Sequence, residues 1–226
     1  MKIAIVGAGR IGATTGTKLA RAGHLVTFTY SRRPARLADL AGRLPGASAD
    51  TPAAAVAGAD ATLLAVPWSV IDDALSRLGP LAGAVVIDAT NQFSAAGLEA
   101  IPDGWSAAEF NSRRAPGARW VKAFNTYTAH FQAEAALRPV TQRAAMFYAG
   151  EDSAAKMVTA EIIRSSGFHP VDIGGWAQVR YMEPPRRPGG VYGEEYTAAD
   201  AMRIVEAIRN DLAEAARLAD QLKRVS

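Results

Sequence analysis

The sequence contains no cysteine, so disulfide bonds, thiolate metal sites and a cysteine nucleophile are all excluded. It also has no run of about twenty apolar residues, the length that a membrane-spanning helix requires. Its first residues read directly as a strand, where a signal peptide would have a charged and then an apolar region. We therefore expect a cytoplasmic protein with no membrane partner.

A strong excess of charge of either sign is also missing. The formal net charge is +3 over 226 residues, and 21% of the residues are charged. This charge is too small and too dispersed to indicate a nucleic acid partner. The three histidines are scattered, so no metal site is expected. Hydrophobic residues make up 49% of the chain, which is enough to bury a large core.

The first residues combine an apolar strand, a glycine-rich turn and a helix. Residues 2–6 read as a buried strand, and residues 11–22 repeat apolar side chains at helical spacing. Between them, Gly7 permits a tight turn, Gly9 allows a pyrophosphate to approach the backbone, and Gly12 allows close packing of the helix on the strand. The pattern is typical of a dinucleotide site at a helix N-terminus.

A basic turn follows the second predicted strand. An NAD site usually has Asp or Glu at the end of this strand, where it binds the ribose 2′-hydroxyl. No acidic residue occurs in residues 24–38, which contain instead Ser31, Arg32, Arg33 and Arg36. These side chains can donate hydrogen bonds to a 2′-phosphate, which a carboxylate would repel. NADP(H) is therefore the predicted cofactor, and a solvated basic turn is the alternative.

Strand and helix segments alternate along the chain. This order predicts an α/β fold, with a doubly wound, mostly parallel Rossmann-type sheet in residues 1–176. Residues 177–226 are predicted to form a proline-rich loop and a C-terminal helix that packs on the same domain or on a dimer partner. The apolar face of this one long helix, over residues 197–224, makes a homodimer the expected assembly. Strands are predicted at 2–6, 24–30, 47–50, 61–66, 84–89, 121–124, 144–149 and 169–173.

The ends of the fourth and fifth predicted strands complete the predicted cofactor site, because doubly wound sheets bind ligands beyond the carboxyl ends of their strands. Trp68 can pack on a flat ligand there, and an ordinary packing aromatic is an equal alternative. The candidate cofactor-binding residues are Gly7, Gly9, Arg10, Ile11, Gly12, Ser31, Arg32, Arg33, Arg36, Val66, Pro67, Trp68, Thr90 and Asn91.

Several of these motifs, in order over residues 1–185, together resemble the coenzyme F420-dependent NADP reductase family. The motifs are the glycine turn, Ser31-Arg32-Arg33, Pro67-Trp68, KAFNT at 122–126, GED at 150–152 and VDIGG at 171–175. The resemblance implies hydride exchange between NADP(H) and a planar small-molecule acceptor, coenzyme F420 or a flavin, lying across the nicotinamide. It also implies that Trp68, Asn125 and Thr126 contact the acceptor.

No spacing identifies a proton relay. Lys122, Tyr127 and His130, in or just after the sixth predicted strand, are the candidate catalytic acids. Hydride transfer between stacked rings needs orientation more than an acid. Two other functions stay open. The chain could be an NADPH-dependent reductase of a small carbonyl or imine, with a site completed by a dimer partner, or a non-enzymatic NADP-sensing module.

Residues 181–196 depart from the family pattern. They are rich in proline, glycine and tyrosine, and therefore cannot form a helix. The segment is long enough to be a lid, a dimer arm or a substrate loop, and a surface connection is the alternative. Arg186, Arg187 and Tyr192 are its candidates for contact with an acceptor.

Overall fold

The computed structural model describes residues 1–224, and residues 225 and 226 of the predicted C-terminal segment lie outside the described residues. No helix within residues 1–224 combines the length and the apolar character needed to cross a bilayer. The strands are β1 (Lys2–Val6), β2 (Leu25–Thr29), β3 (Ala47–Ala49), β4 (Ala61–Leu64), β5 (Val85–Asp88), β6 (Phe93–Ser94), β7 (Gly97–Leu98), β8 (Arg119–Ala123), β9 (Ala145–Gly150) and β10 (His169–Gly174). The α-helices are α1 (Arg10–Arg21), α2 (Pro34–Ala41), α3 (Pro52–Val56), α4 (Ile71–Arg77), α5 (Ala107–Ser112), α6 (Ala129–Ala135), α7 (Ser153–Ser165), α8 (Trp176–Val179), α9 (Ala198–Asn210) and α10 (Leu212–Leu222).

Eight strands form one sheet in the order β10-β9-β8-β5-β4-β1-β2-β3. Neighbouring strands are parallel except β8 and β9, which pair antiparallel. The predicted doubly wound, mostly parallel fold is therefore confirmed. From the central strand β1 the chain moves outward through β2 and β3, and then in the other direction through β4 and β5. The crevice of such a sheet lies where this order reverses.

The strand register aligns the carboxyl ends that border this crevice. Val6 of β1 pairs with Leu64 of β4, and Leu64 pairs with Asp88 of β5. Asp88 in turn pairs with Lys122 of β8. The four strands β1, β4, β5 and β8 therefore end at the same edge of the sheet, and the loops that follow them are neighbours.

The prediction of one long helix over residues 197–224 is wrong, because Asp211 divides it into α9 and α10. The backbone of Asp211 is extended, with φ −150° and ψ 102°. Its carboxylate accepts hydrogen bonds from the N–H groups of Ala213 and Glu214, which caps the start of α10. The apolar repeat continues past Asp211, so hydrophobic spacing alone did not reveal the break.

The apolar faces of α9 and α10 pack within the chain, in a core cluster that includes residues of β9 and β10. Ile204, Val205 and Ile208 are buried there, as is Leu218 of α10. The apolar face that was expected to form a homodimer interface is therefore covered by this protein's own sheet. The homodimer remains a prediction, but the apolar face of the C-terminal helices no longer supports it.

Candidate functional site

The glycine turn between β1 and α1 leaves no room for side chains at two of its three positions. Gly7 has φ +93°, and a Cβ added to it would lie 2.6 Å from the carbonyl oxygen of Ala65 and 2.7 Å from the Val66 side chain. A Cβ on Gly12 would overlap the carbonyl oxygen of Gly7. A Cβ on Gly9, in contrast, would have no atom within 4 Å. Gly9 therefore borders open space, where a ligand can approach the backbone.

The N-terminus of α1 faces the same space and has no side-chain cap among the described residues. Gly9 is its capping residue and supplies no side-chain hydrogen bond, and the first turn has no acidic residue. The first N–H groups of a helix have no partner within the helix, and the helix dipole makes this end positive. The turn and the helix end together fit a pyrophosphate group, as the sequence predicted for Gly7, Gly9 and Gly12.

A cleft of about 540 Å³ opens beside this turn. Within residues 1–224, the guanidinium groups of Arg32, Arg33 and Arg36 form no ion pair with a carboxylate. The hydroxyl of Ser31 accepts a hydrogen bond from the Arg33 N–H at 3.0 Å, which shapes the basic turn. The cleft is lined by Ala8, Ala13, Ser31, Arg32, Arg33, Arg36, Leu37 and Leu40. The donor set fits a phosphate group, and the structure brings the predicted basic turn next to the glycine turn.

Tyr30, which the sequence patterns did not single out, connects the basic turn to α4. Its backbone is left-handed, with φ +57°, and its hydroxyl donates a hydrogen bond to Asp73 at 2.7 Å. Burial and this hydrogen bond raise the pKa of Tyr30 to about 12, so the hydroxyl stays a donor at neutral pH. The contact links the end of β2 to the first turn of α4.

Lys122 lies in a buried ionic network at the carboxyl ends of β5 and β8. Its ammonium group donates to Asp88 at 3.0 Å and to the Thr90 carbonyl at 2.6 Å, and it lies 3.7 Å from Glu183. The exposed fractions are 0% for Lys122, 1% for Asp88 and 4% for Glu183. Burial raises the pKa of the Glu183 carboxyl. Lys122 is therefore occupied with two carboxylates and offers no free proton donor.

Glu183 joins this network to the proline-rich segment, and no local pattern pointed to it. Its carboxylate accepts hydrogen bonds from the N–H groups of Ala107, at 3.0 Å, and Ala108, at 2.8 Å. Asp88 did carry a signal, because it ends an apolar strand that is buried on both faces. A carboxylate in such a place needs a cationic partner, and Lys122 on a later strand is one.

Asn91 and Asn125, predicted to contact the cofactor and the acceptor, lie side by side. The Asn125 amide donates to the side-chain oxygen of Asn91 at 3.1 Å and to the Met182 carbonyl at 2.7 Å. The Asn91 amide donates to the Asn125 carbonyl at 2.9 Å and lies 3.5 Å from the Tyr192 hydroxyl. The strand ends and the proline-rich segment thus meet at this pair.

Three other predicted contact residues are covered by the protein. Trp68 is only 5% exposed, and its ring stacks on Phe110 with the centroids 6.1 Å apart. Of the two interpretations of Trp68, the structure favours the packing aromatic. Thr126 is 2% exposed, and Thr90 is 3% exposed with its N–H bonded to Asp88. Pro67, in contrast, is exposed beside the end of β4.

The two remaining candidate acids are also engaged elsewhere. Tyr127 is buried, its hydroxyl donates to the Ala145 carbonyl at 2.8 Å, and burial raises its pKa. His130 is exposed on α6, where its ring lies 3.4 Å from Glu134. Within the described residues, neither side chain forms a hydrogen bond with Asn91.

The chain is similar to several known proteins. Residues 2–92 match the family described as NADP oxidoreductase, coenzyme F420-dependent. A hypothetical protein from Sinorhizobium meliloti is 30% identical, with 86% of this chain and 94% of that protein covered and a TM-score of 0.76. A candidate F420-dependent NADP reductase from Arthrobacter sp. FB24 is 27% identical, with 80% and 87% covered and a TM-score of 0.67.

A curated relative, the metalloreductase STEAP3 of Rattus norvegicus, is 29% identical over 182 residues. The match covers 80% of this chain but 36% of the metalloreductase, so the chain spans about a third of that relative. The family match includes the glycine turn, the basic turn and Asn91. Residues 2–92 of the chain therefore belong to the family of coenzyme F420-dependent NADP oxidoreductases.

Proposed function

We propose that the protein transfers a hydride between NADP(H) and a planar deazaflavin or flavin-like acceptor, such as coenzyme F420. Bound NADPH supplies the hydride. The family description and the resemblance to the Arthrobacter protein support this acceptor class. The protein's contribution is to bind and orient two flat rings and to exclude water from between them.

The cofactor would lie along the carboxyl edge of the sheet. Ser31, Arg32, Arg33 and Arg36 would hold the 2′-phosphate, since their donors line the cleft and no carboxylate pairs with these arginines in the described structure. The backbone around Gly9 would hold the pyrophosphate. The reacting ring would then reach the ends of β4 and β5, where Asn91 lies.

The observation that carries the proposal is the lack of a free acid among the three candidates in or after β8. Lys122 is neutralised by Asp88 and Glu183, Tyr127 donates to a carbonyl, and His130 lies on the surface beside Glu134. Reduction of a small carbonyl or imine usually depends on a positioned acid. A stacked-ring acceptor depends chiefly on geometry.

The test is a spectrophotometric assay of NADPH oxidation with F420, with FMN, and with a panel of small carbonyls and imines. We expect turnover with F420 or FMN and none above background with the panel. Turnover only with the panel would overturn the proposal in favour of a small-molecule reductase. Tight NADPH binding without oxidation by any acceptor would favour an NADP-sensing module.

A further inference from the structure

We propose that Tyr192 is an acceptor-contacting residue, whose hydroxyl donates a hydrogen bond to a ring heteroatom of the acceptor. The inference rests on the proposed function and gives a role to the proline-rich segment, residues 181–196.

Three contacts hold this segment across the ends of β5 and β8. The Met182 carbonyl accepts from Asn125 at 2.7 Å, and the carboxylate of Glu183 lies in the buried network with Lys122. The Gly193 N–H donates to the Thr126 carbonyl at 3.0 Å. Within the segment, the Val191 N–H donates to the Tyr181 carbonyl at 2.7 Å, which closes it into a loop. Tyr192 is therefore fixed at the strand edge from both sides.

The side chain of Tyr192 is half-buried, and its hydroxyl is only weakly engaged. Within the described residues its one side-chain hydrogen bond is to the Asn91 amide, at 3.5 Å, which is the outer limit for such a bond. Tyr127 and Tyr196, by comparison, donate to carbonyls at 2.8 Å and 3.0 Å. The Tyr192 O–H group can therefore donate a hydrogen bond to a ligand beside Asn91 without giving up its proton.

A neutral hydrogen-bond donor such as the Tyr192 hydroxyl can stabilise the acceptor ring as it is reduced. Burial raises the pKa of Tyr192, so its hydroxyl remains protonated at neutral pH. When a hydride reaches a conjugated ring, negative charge develops on the ring's nitrogen or oxygen atoms. A fixed O–H donor stabilises that charge more than it stabilises the oxidised ring. The acceptor class that fits is a planar heterocycle with an exposed hydrogen-bond acceptor on its ring.

Tyr192→Phe removes the hydroxyl and keeps the ring, and Tyr181→Phe is the matched control. Tyr181 lies in the same segment, packs on the apolar cluster under α9 and makes no side-chain hydrogen bond within residues 1–224. F420, or FMN if the wild type accepts only that, is titrated into each protein saturated with NADP⁺, and its binding is followed by fluorescence. NADPH oxidation and NADP⁺ affinity are measured in parallel.

We expect Tyr192→Phe to weaken acceptor binding about three- to tenfold and to lower kcat about tenfold or more, with NADP⁺ affinity unchanged. Tyr181→Phe should match the wild type. Equal values for wild type and Tyr192→Phe, an equal loss in both variants, or a loss of NADP⁺ affinity in Tyr192→Phe would each overturn this inference alone. A wild-type protein that neither binds nor reduces F420 or FMN would overturn the proposed function and this inference together.

Discussion

In the half of the site beside α1 and β2, the N-terminus of α1 has no side-chain cap and Arg32, Arg33 and Arg36 have no carboxylate partner within residues 1–224. In the half beside β5 and β8, almost every polar side chain is bonded to another part of the chain. Arg32 and Arg33 have no carboxylate partner in the described residues, whereas Lys122 has two. Gly9 borders empty space, whereas Asn125 is 4% exposed.

This difference indicates that one half of the site serves ligand binding and that the other half contributes to the stability of the fold. Unpaired groups at a surface contribute little to folding and are free to bind an anion. Paired charges in the interior were removed from water, so breaking one pair leaves an uncompensated charge. Substitutions of the unpaired groups beside α1 and β2, the phosphate half, should therefore change ligand affinity. Substitutions of the buried charges in the half beside β5 and β8 should change the free energy of unfolding.

The largest effect is expected for Lys122→Met. The change leaves the carboxylates of Asp88 and Glu183 buried without a cation, so the free energy of unfolding should fall by about 3–5 kcal/mol. Urea denaturation measures this fall. Removal of an exposed partner, as in Arg217→Ala beside Glu214, should leave the free energy of unfolding nearly unchanged. Similar small losses in both variants would remove the contrast between the two halves.

The next effect concerns the basic turn. Replacing Arg32 and Arg33 by Ala should weaken NADPH binding by about 1.5–3 kcal/mol for each lost charge-assisted contact, and NADH binding much less. Calorimetric titration with both cofactors checks this, with Arg21→Ala at the far end of α1 as the control for charge. Equal losses for the two cofactors would show that the arginines do not bind the 2′-phosphate.

A pair of glycine substitutions sharpens the same contrast within one turn. Gly12→Ala forces a Cβ onto the Gly7 carbonyl and should cost about 1–3 kcal/mol of stability. Gly9→Ala meets no protein atom, so the unfolding free energy should not change, but the methyl group should reduce NADP⁺ affinity. Thermal unfolding of both variants measures the change in stability, and titration with NADP⁺ measures the change in affinity. A destabilised Gly9→Ala with normal affinity would contradict the assignment of the open space to a ligand.

The smallest expected effect is a pH dependence of the free energy of unfolding. It comes from His24, which precedes β2 at the opposite edge of the sheet. Burial lowers the pKa of His24 below its ordinary value of 6.5. The neutral ring is therefore favoured in the folded state, and the stability it provides is present above pH 6.5 and lost as the pH falls below it. His24→Gln should flatten this part of the stability profile and leave NADPH affinity unchanged. If the free energy of unfolding of His24→Gln depended on pH as it does in the wild type, His24 would not contribute to the pH dependence of stability.

Most of the phosphate half could be predicted from the sequence, because its residues lie within about thirty positions and use local rules. The glycine spacing and the basic turn each specify a short backbone geometry. The other half could not, because its contacts join distant segments. Asn91 and Tyr192 are 101 positions apart, and Glu183 reaches Ala107 over 76 positions. Asp211 shows a third case, in which a local cap interrupts a continuous apolar repeat.

Direct hydride transfer between NADPH and a planar acceptor is the central claim, and a single-turnover experiment with deuterium at the reactive carbon of NADPH tests it most directly. The enzyme is mixed with the labelled cofactor and with F420, or with FMN if only that is reduced. The account predicts that the acceptor is reduced in step with NADPH oxidation, with a primary isotope effect on the rate of transfer. For F420, the deuterium should be recovered in the reduced acceptor. Oxidation of NADPH without acceptor reduction, or without an isotope effect on the transfer step, would contradict it.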